Sequence, residues 1–337
     1  MFLVEFLPPK PHVLWQLSRQ MGITHAIVKC APELTGRNPP WDFTALRDIQ
    51  QSFREAGLTV HGLEGDQFDM TRIKLGLPGR DEDIARYRQM LRNMGELGIP
   101  LLCYNFMAGI GWHRTRTDVP ARGGALVSRF DLAEIPSTPT PLGEMPEPRI
   151  WENYAYFLEN VLPVAVEAGV KMGAHPDDPP LPVLRGLGRI LYSEENFARA
   201  LALSSNPSHG LTFCQANWKL MAGSEAELAR CIDRFVSTGR VWFVHLRDVV
   251  GTARGFQETF HDDGPTDMAA MLQRYHAAGF RGPVRCDHVP TMAGEENLSP
   301  GYGTLGRLFA NGYLRGLMEA LDVSSPPMAE PRRAFLP

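Results

Sequence analysis

The strongest constraint on the fold of this chain is a repeated alternation between short apolar segments and longer amphipathic ones. The apolar segments are three to five residues long, as expected of strands that a parallel sheet buries on both faces. Eight such segments occur along the chain. The predicted strands are Phe2–Phe6, His25–Val28, Thr59–Leu63, Leu101–Tyr104, Lys171–Ala174, Leu211–Phe213, Trp242–His245 and Val284–Cys286.

Amphipathic segments between these strands predict helices, several of which stop at a glycine such as Gly57 or Gly169. This alternation predicts an α/β fold in which crossover helices connect parallel strands. Eight units favour a closed (β/α)8 TIM barrel over an open doubly wound sheet, and the 337 residues fit a barrel with long loops. The predicted helices are Asp42–Ala56, Glu82–Leu97, Asn153–Ala168, Glu194–Leu203, Glu225–Val236, Met268–Ala278 and Leu305–Leu321.

The segment from residue 106 to about residue 150 interrupts this rhythm. It follows the fourth strand, is too long for a plain connection and contains six prolines. In a barrel it leaves the end where active sites lie, so we expect a lid or an arm to a partner subunit, with an unstructured insertion as the alternative. We therefore predict one barrel domain over residues 1–324 with this insertion, and a Pro-rich tail at 325–337 that packs loosely on the surface.

Charge and cysteine usage argue against several classes of protein. The formal net charge is −4 and the basic residues are scattered, so no nucleic-acid partner is expected. The sequence contains no run of about 18 apolar residues, so no membrane span is expected. The five cysteines form no CxxC pair, and Pro8 and Pro9 interrupt the apolar start of the chain. A cytoplasmic protein without a disulfide framework is therefore expected.

Residues of the kinds that bind metals follow or end four late strands. They are His175, Cys214, His245 and Asp287, with His288 beside the last. Each is a weak signal alone, because a lone His is usually structural and a buried Cys usually packs as a small apolar group. In a barrel, however, neighbouring strand ends converge on one pocket. Two imidazoles, a thiolate and a carboxylate there predict a divalent transition-metal site. The packing interpretation applies to Cys30, Cys103, Cys231 and Cys286.

A GxGxxG pattern at Gly301–Gly306 is a rival motif. A dinucleotide-binding fingerprint needs a complete βαβ unit after it, and only 31 residues follow. We interpret the segment as a loop that enters the last helix, with free N–H groups that could hold an anion.

An acidic loop at residues 256–264 offers Glu258, His261, Asp262 and Asp263. These residues are candidates to hydrogen-bond to the metal ligands and hold them in position. A solvated acidic loop is the alternative.

Several patches in this order resemble the mannonate dehydratase family, over about residues 20 to 320. Together they are a specific signal, although each alone is moderate. The patches are KLGLPGRD (Lys74–Asp81), CYNFM (Cys103–Met107), VLPVAVEAGVKMGAHPDDPP (Val161–Pro180), GLTFC (Gly210–Cys214), FVHLRDV (Phe243–Val249) and PGYGTLGRL (Pro300–Leu308) with LRGL (Leu314–Leu317).

The resemblance implies a xylose-isomerase-like TIM barrel, a Mn²⁺ or Fe²⁺ ion, and loss of water from D-mannonate to give 2-dehydro-3-deoxy-D-gluconate. It assigns the metal to the four strand-end residues already named. It also implies metal-assisted β-elimination, in which one of His288 and Tyr302 takes the C2 proton and the other protonates the departing 3-hydroxyl. Asn105, Arg247 and Arg307 are expected to bind the sugar acid, with surface salt bridges as the alternative for both arginines.

Three departures from the family pattern broaden the expected substrates. The opening segment is FLPPKP, two extra residues stand between Trp112 and Thr115, and Val289 and Pro290 follow the Asp-His pair. A dehydratase for another aldonic acid is therefore one alternative, and a metal-dependent sugar isomerase or epimerase on the same barrel is another. A binding protein that has lost catalysis is the third. We expect a small-molecule sugar acid as partner and a homodimer.

Overall fold

Strands and helices alternate around a closed parallel barrel in the computed structural model, which describes residues 1–324. The predicted tail at 325–337 lies outside these residues. The first strand is two segments, β1 (Phe2–Leu3) and β2 (Glu5–Leu7). The other barrel strands are β3 (His25–Val28), β4 (Thr59–Glu64), β5 (Leu101–Tyr104), β8 (Lys171–Ala174), β11 (His209–Cys214), β12 (Val241–Leu246) and β15 (Pro283–Cys286).

The two segments of the first strand close the sheet. β1 pairs with β15 and β2 pairs with β3, so the strand changes neighbours at Val4. The order is β1-β15-β12-β11-β8-β5-β4-β3-β2, and every pairing is parallel. The (β/α)8 prediction is confirmed, and the open doubly wound alternative is wrong because such a sheet would leave two unpaired edges. The continuous first strand predicted from sequence is corrected to two segments.

Helices connect the strands on the outside. Several helices are capped by the residue before their first turn, whose side chain accepts a hydrogen bond from the backbone N–H three residues on. Examples are Asp42, Ser193 and Ser224. Four short helices were not predicted: α1 (Val13–Gln20), α2 (Pro32–Thr35), α4 (Thr71–Leu75) and α8 (Gln215–Ala222). The others are α3 (Phe43–Glu55), α5 (Arg80–Glu96), α6 (Glu147–Glu167), α7 (Glu194–Ala202), α9 (Glu225–Val236), α10 (Met268–Ala277) and α11 (Thr304–Ala320).

The long segment after β5 joins a second, antiparallel sheet. It supplies β6 (Arg116–Pro120) and β7 (Leu126–Asp131), while the loop after β12 supplies β13 (Val249–Thr252) and β14 (Gly255–Glu258). The order is β13-β14-β7-β6, so β7 and β14 tie the two loops together. A hairpin of β9 (Val183–Leu184) and β10 (Leu187–Gly188) follows β8. Whether the segment is a lid or an arm stays a prediction.

Apolar residues fill the barrel and the layer between strands and helices. The interior cluster joins strands from opposite sides of the barrel, and its buried members are Val4, Ile27, Leu101, Cys103 and Phe243. This packed interior leaves the strand ends as the place where polar groups can collect. Among the helices within residues 1–324, none is long and apolar enough to cross a membrane.

Candidate active site

The four strand-end residues converge at one end of the barrel. His175 follows β8, Cys214 ends β11, His245 lies in β12, and Asp287 follows β15; these four strands are neighbours in the sheet. The metal-binding atoms of His175, Cys214 and His245 lie within 4.8 Å of one another. Oδ2 of Asp287 is 3.7 Å from Sγ of Cys214 and 3.8 Å from Nδ1 of His245. The fold thus brings the predicted donors together.

The two imidazoles are prepared to bind a cation. His245 is fully buried, and neither of its ring nitrogens has a hydrogen-bond partner among the described residues. An unpaired buried polar atom is costly, and a bound cation would supply the missing partner. Nδ1 of His175 lies 2.7 Å from the carbonyl oxygen of Pro176, which fixes the proton on Nδ1 and leaves Nε2 free. Burial lowers the pKa of His175, and the neutral imidazole is the form that binds metals.

The charges around the donors also leave room for a cation. In the cluster beside these donors, the described residues form ion pairs that link four carboxylates to three guanidinium groups. One negative charge is therefore uncompensated, and a deprotonated Cys214 would add a second. A divalent ion would neutralise the cluster, so the residues fit a divalent metal. The carboxylates belong to Glu64, Asp178, Glu258 and Asp287, and the guanidinium groups to Arg114, Arg247 and Arg285.

These carboxylates are held in their charged form. Burial alone raises the pKa of Glu258, but Arg247 and Arg114 lower it to about 2. Burial likewise raises the pKa of Glu64, while Arg285 and His245 bring it to about 2. Asp287 follows the same pattern, with burial opposed chiefly by Arg285, and its pKa falls well below the usual range. At neutral pH the site therefore presents anions.

A second group of donor atoms is less suited to a metal. Atoms of Glu64, Cys103 and His245 also lie within 4.8 Å of one another. However, both carboxylate oxygens of Glu64 accept hydrogen bonds from Arg285. Burial raises the pKa of the Cys103 thiol well above its usual range, and a metal needs the thiolate. The group around Cys214 is therefore the better metal site.

A cavity of about 120 Å³ opens beside the metal donors. The lining includes His175 and Asp287 together with His288, Tyr302 and Asn105. The predicted proton-transfer pair and two of the predicted metal ligands, His175 and Asp287, thus face one space.

His288 is held in an unusual position. Its backbone φ is 23°, a left-handed conformation that costs a non-glycine residue about 1–3 kcal/mol. Its ring lies edge-on to the rings of Trp112 and Tyr302, with centroids 5.3 and 5.5 Å away. Its Nδ1 is 3.0 Å from Oε1 of Glu258. Such strain at a cavity wall is typical of a functional residue.

The two predicted arginines are buried and ion-paired within this chain, and their role in binding the sugar acid stays a prediction. Arg247 is fully buried; its guanidinium contacts Asp178 and Glu258 at 2.6 Å each and Asp287 at 3.1 Å. Arg307 is also buried, donates to Glu5 at 3.3 Å, and lines a neighbouring cavity of about 490 Å³. The surface salt-bridge alternative is therefore wrong for both. Each guanidinium is already occupied by groups of this chain.

Four further residues of this site were not predicted from the sequence. Glu64 ends β4, where a lone glutamate is not a specific signal in the sequence. Asp178 lies three residues after His175, within the resembling patch, and that spacing was an available signal. Arg285 lies in β15, two residues before Asp287. Arg114 comes from the long segment, where no local pattern marked it.

The four residues of the acidic loop fall into two groups, one buried beside the site and one exposed to solvent. Glu258 and His261 are buried against the site, and Nε2 of His261 lies 2.7 Å from the carbonyl oxygen of Leu246. Asp262 and Asp263 are exposed. Pleating of β14 and the turn after it separate them.

The GYGTLG segment enters α11, as its interpretation as a loop predicts. A carboxylate of this chain already lies there, because Glu295 accepts a hydrogen bond from the N–H of Leu305 at 3.1 Å. An anion at this helix start would have to displace it.

Comparison with known proteins agrees with the resemblance. The family model for D-mannonate dehydratase (UxuA) matches residues 10–145 and 142–326. Mannonate dehydratase 2 of Halalkalibacterium halodurans is 35% identical over 309 residues, covering 84% of this chain and 88% of the relative. Mannonate dehydratase of Thermotoga maritima is 31% identical over 317 residues, covering 84% and 87%.

Solved structures give the same result. The crystal structure of mannonate dehydratase from Streptococcus suis serotype 2 has a TM-score of 0.86 at 29% identity and covers 97% of each chain. A structure of L-ribulose 3-epimerase has a TM-score of 0.58 at 13% identity, covering 98% of this chain and 100% of that one, which shows a shared fold alone. The chain therefore belongs to the D-mannonate dehydratase family, a family of hydro-lyases.

Proposed function

We propose that this protein removes water from D-mannonate to give 2-dehydro-3-deoxy-D-gluconate. The observation that carries the proposal is that His288 and Tyr302 face the same cavity as His175 and Asp287, while His175 lies beside the other two metal donors, Cys214 and His245. The names of the relatives support the substrate, since both curated relatives described above are mannonate dehydratases.

We further propose that Mn²⁺ or Fe²⁺ binds to His175, Cys214, His245 and Asp287. Imidazole, thiolate and carboxylate donors together suit a first-row transition ion. When bound, the ion supplies Lewis acidity that withdraws charge from the carboxylate end of the substrate. The four side chains would hold the ion beside the cavity that His175 and Asp287 line.

The two remaining residues move protons. Burial raises the pKa of the Tyr302 phenol, so Tyr302 keeps its proton at neutral pH and can donate it. The imidazole of His288 can accept a proton at a ring nitrogen that carries a lone pair. We therefore assign removal of the C2 proton to His288 and protonation of the departing 3-hydroxyl to Tyr302. Asn105 lines the same cavity, and its Oδ1 accepts hydrogen bonds from Lys74 at 2.8 Å and from the N–H of Met107 at 3.1 Å. This orientation suits a substrate-binding side chain.

Other aldonic acids are the second candidates. Part of the altered FLPPKP segment, Phe6–Pro9, lines the neighbouring cavity rather than the one that His288 faces. Tyr302 lines both cavities, so this segment can act on the substrate through Tyr302. The two extra residues after Trp112 adjoin a residue that lines the cavity of His288 directly. The isomerase or epimerase alternative has fold likeness alone in its favour. The homodimer and the cytoplasmic location stay predictions.

The decisive experiment measures 2-keto-3-deoxy acid released from D-mannonate with added Mn²⁺, alongside other aldonic acids. His288→Asn and Tyr302→Phe should each lower the rate by about 10²–10⁴-fold, the usual contribution of a positioned acid or base, without loss of metal. His276→Asn and Tyr313→Phe are matched controls on α10 and α11 and should keep the rate.

The outcomes separate the alternatives. Near wild-type turnover in both site variants would refute the proton-transfer roles. A product formed without loss of water would favour an isomerase or epimerase. Activity on other aldonic acids but none on D-mannonate would keep the chemistry and discard the substrate.

A further inference from the structure

The carboxylate of Glu258 lies between His288 and two arginines. Its Oε1 is 3.0 Å from Nδ1 of His288, 2.6 Å from a terminal nitrogen of Arg114 and 2.6 Å from one of Arg247. The side chains of all three partners are buried, as is Glu258 itself. Glu258 is absent from the residues that line the cavity beside the metal donors. Of its three partners, His288 is the one that lines this cavity.

We infer that Glu258 is a positioning residue that sets which nitrogen of His288 faces the substrate. The inference rests on the proposed function and deepens it. A carboxylate accepts hydrogen bonds and cannot donate when charged. Nδ1 of His288 must therefore carry the proton, and the lone pair lies on Nε2. Nε2 points away from Glu258 and is 3.8 Å from Oδ1 of Asp287, on the metal side of the cavity.

The surroundings of His288 leave Glu258 as the group that makes this choice. Trp112 and Tyr302 flank the ring edge-on, and apolar ring faces and edges do not distinguish the two tautomers. Nδ1 is also 3.5 Å from Arg114, a donor that would favour the opposite tautomer. The 3.0 Å contact to a charged carboxylate is shorter and charge-assisted, so it prevails.

The second sheet holds Glu258 in place. Glu258 ends β14, which pairs with β7 of the long segment. The same segment supplies Arg114, whose guanidinium also contacts Asp178 at 2.6 Å. Glu258 is thus fixed from its backbone by the sheet and from its side chain by Arg114 and Arg247. The long segment then acts on the proton transfer without supplying either proton-transfer residue.

The test compares Glu258→Gln with Glu258→Leu. Both variants remove the charge, but the glutamine amide oxygen can still accept the Nδ1 proton, whereas leucine cannot. We expect kcat to fall about 10-fold in Glu258→Gln and about 10²-fold in Glu258→Leu, with KM nearly unchanged because substrate binding does not involve Glu258. Asp83→Asn is the matched control, since Asp83 is a buried carboxylate paired with Arg72 and Arg86 on outer helices.

Nitrogen NMR of histidine-labelled, Zn²⁺-loaded protein provides a readout independent of activity. The chain has ten histidines, and a spectrum of His288→Asn identifies the signals of His288. We expect a protonated Nδ1 and a bare Nε2 in the wild type, and a shift towards the other tautomer in Glu258→Leu.

Each outcome bears on one proposal. A wild-type His288 with a bare Nδ1, or equal losses of kcat in Glu258→Leu and Asp83→Asn, would overturn the positioning role. If Glu258→Leu does not fold, the wild-type spectrum and the Gln variant still decide. Absence of dehydratase activity in the wild type would instead overturn the proposed function, while the tautomer of His288 would still test Glu258.

Discussion

Replacing Arg114 with methionine tests how strongly the long segment is attached to the barrel. The Arg114 side chain is fully buried and bridges two carboxylates, Asp178 at 2.6 and 3.1 Å and Glu258 at 2.6 and 3.2 Å. Methionine keeps much of the apolar volume but removes the charge. Both carboxylates then stay buried with one guanidinium, that of Arg247, between them.

Breaking a buried ion pair by removing one partner costs about 3–5 kcal/mol. Arg247 still contacts both carboxylates at 2.6 Å, so we expect the lower end, about 3 kcal/mol. Because Arg114 joins the segment to the barrel, part of this energy should appear as local opening. The equilibrium constant for local opening changes tenfold for about each 1.4 kcal/mol. The rate of native-state proteolysis within residues 106–150 should therefore rise by up to about 100-fold.

Urea unfolding measures the global part, and limited proteolysis measures the local part. Arg122→Met is the matched control, since Arg122 lies on the same segment and pairs with Asp262 at the surface, where the two side chains are 42% and 28% exposed. A pair of that kind contributes about 0–1 kcal/mol. If Arg114→Met loses no more stability and opens no faster than Arg122→Met, the buried network does not attach the segment.

Three further predictions concern the metal, its thiolate ligand and acid stability. Removing metal with a chelator should lower the free energy of unfolding, by about 2.7 kcal/mol relative to metal at 100 times its Kd; superimposable urea curves with and without Mn²⁺ would contradict this. Cys214→Ser should lower the bound metal measured by elemental analysis, whereas Cys231→Ser should not, because Cys231 is buried in α9 with Sγ 3.6 Å from Glu194; equal losses would refute the assignment. Burial lowers the pKa of His209 to about 4, so the unfolded chain binds a proton first as the pH falls from about 6.5. The contribution of His209 to the free energy of unfolding should therefore be full above that pH and fall by up to about 3 kcal/mol towards pH 4. In unfolding experiments His209→Gln should show a shallower decline with falling pH. An unchanged slope in this variant would refute the prediction.

The barrel and the candidate metal ligands could be predicted from local sequence patterns. Predicted strands β3, β5 and β8 agree residue for residue with the structure, because parallel barrel strands are short runs buried on both faces. His175, Cys214, His245 and Asp287 could be nominated because a strand end is a local feature and the barrel places all such ends together. The family resemblance added His288 and Tyr302.

The residues that surround and support those ligands could not be predicted without the three-dimensional fold. Arg114 meets Asp178 and Glu258 across 64 and 144 residues of chain, and no periodicity encodes a contact between two loops. The fold likewise placed Arg307 on Glu5 and showed that the first strand divides at Val4 to close the sheet. Local patterns follow from backbone geometry and solvent exposure, which neighbouring residues determine. Buried ion pairs between distant loops depend on which surfaces the completed barrel brings into contact.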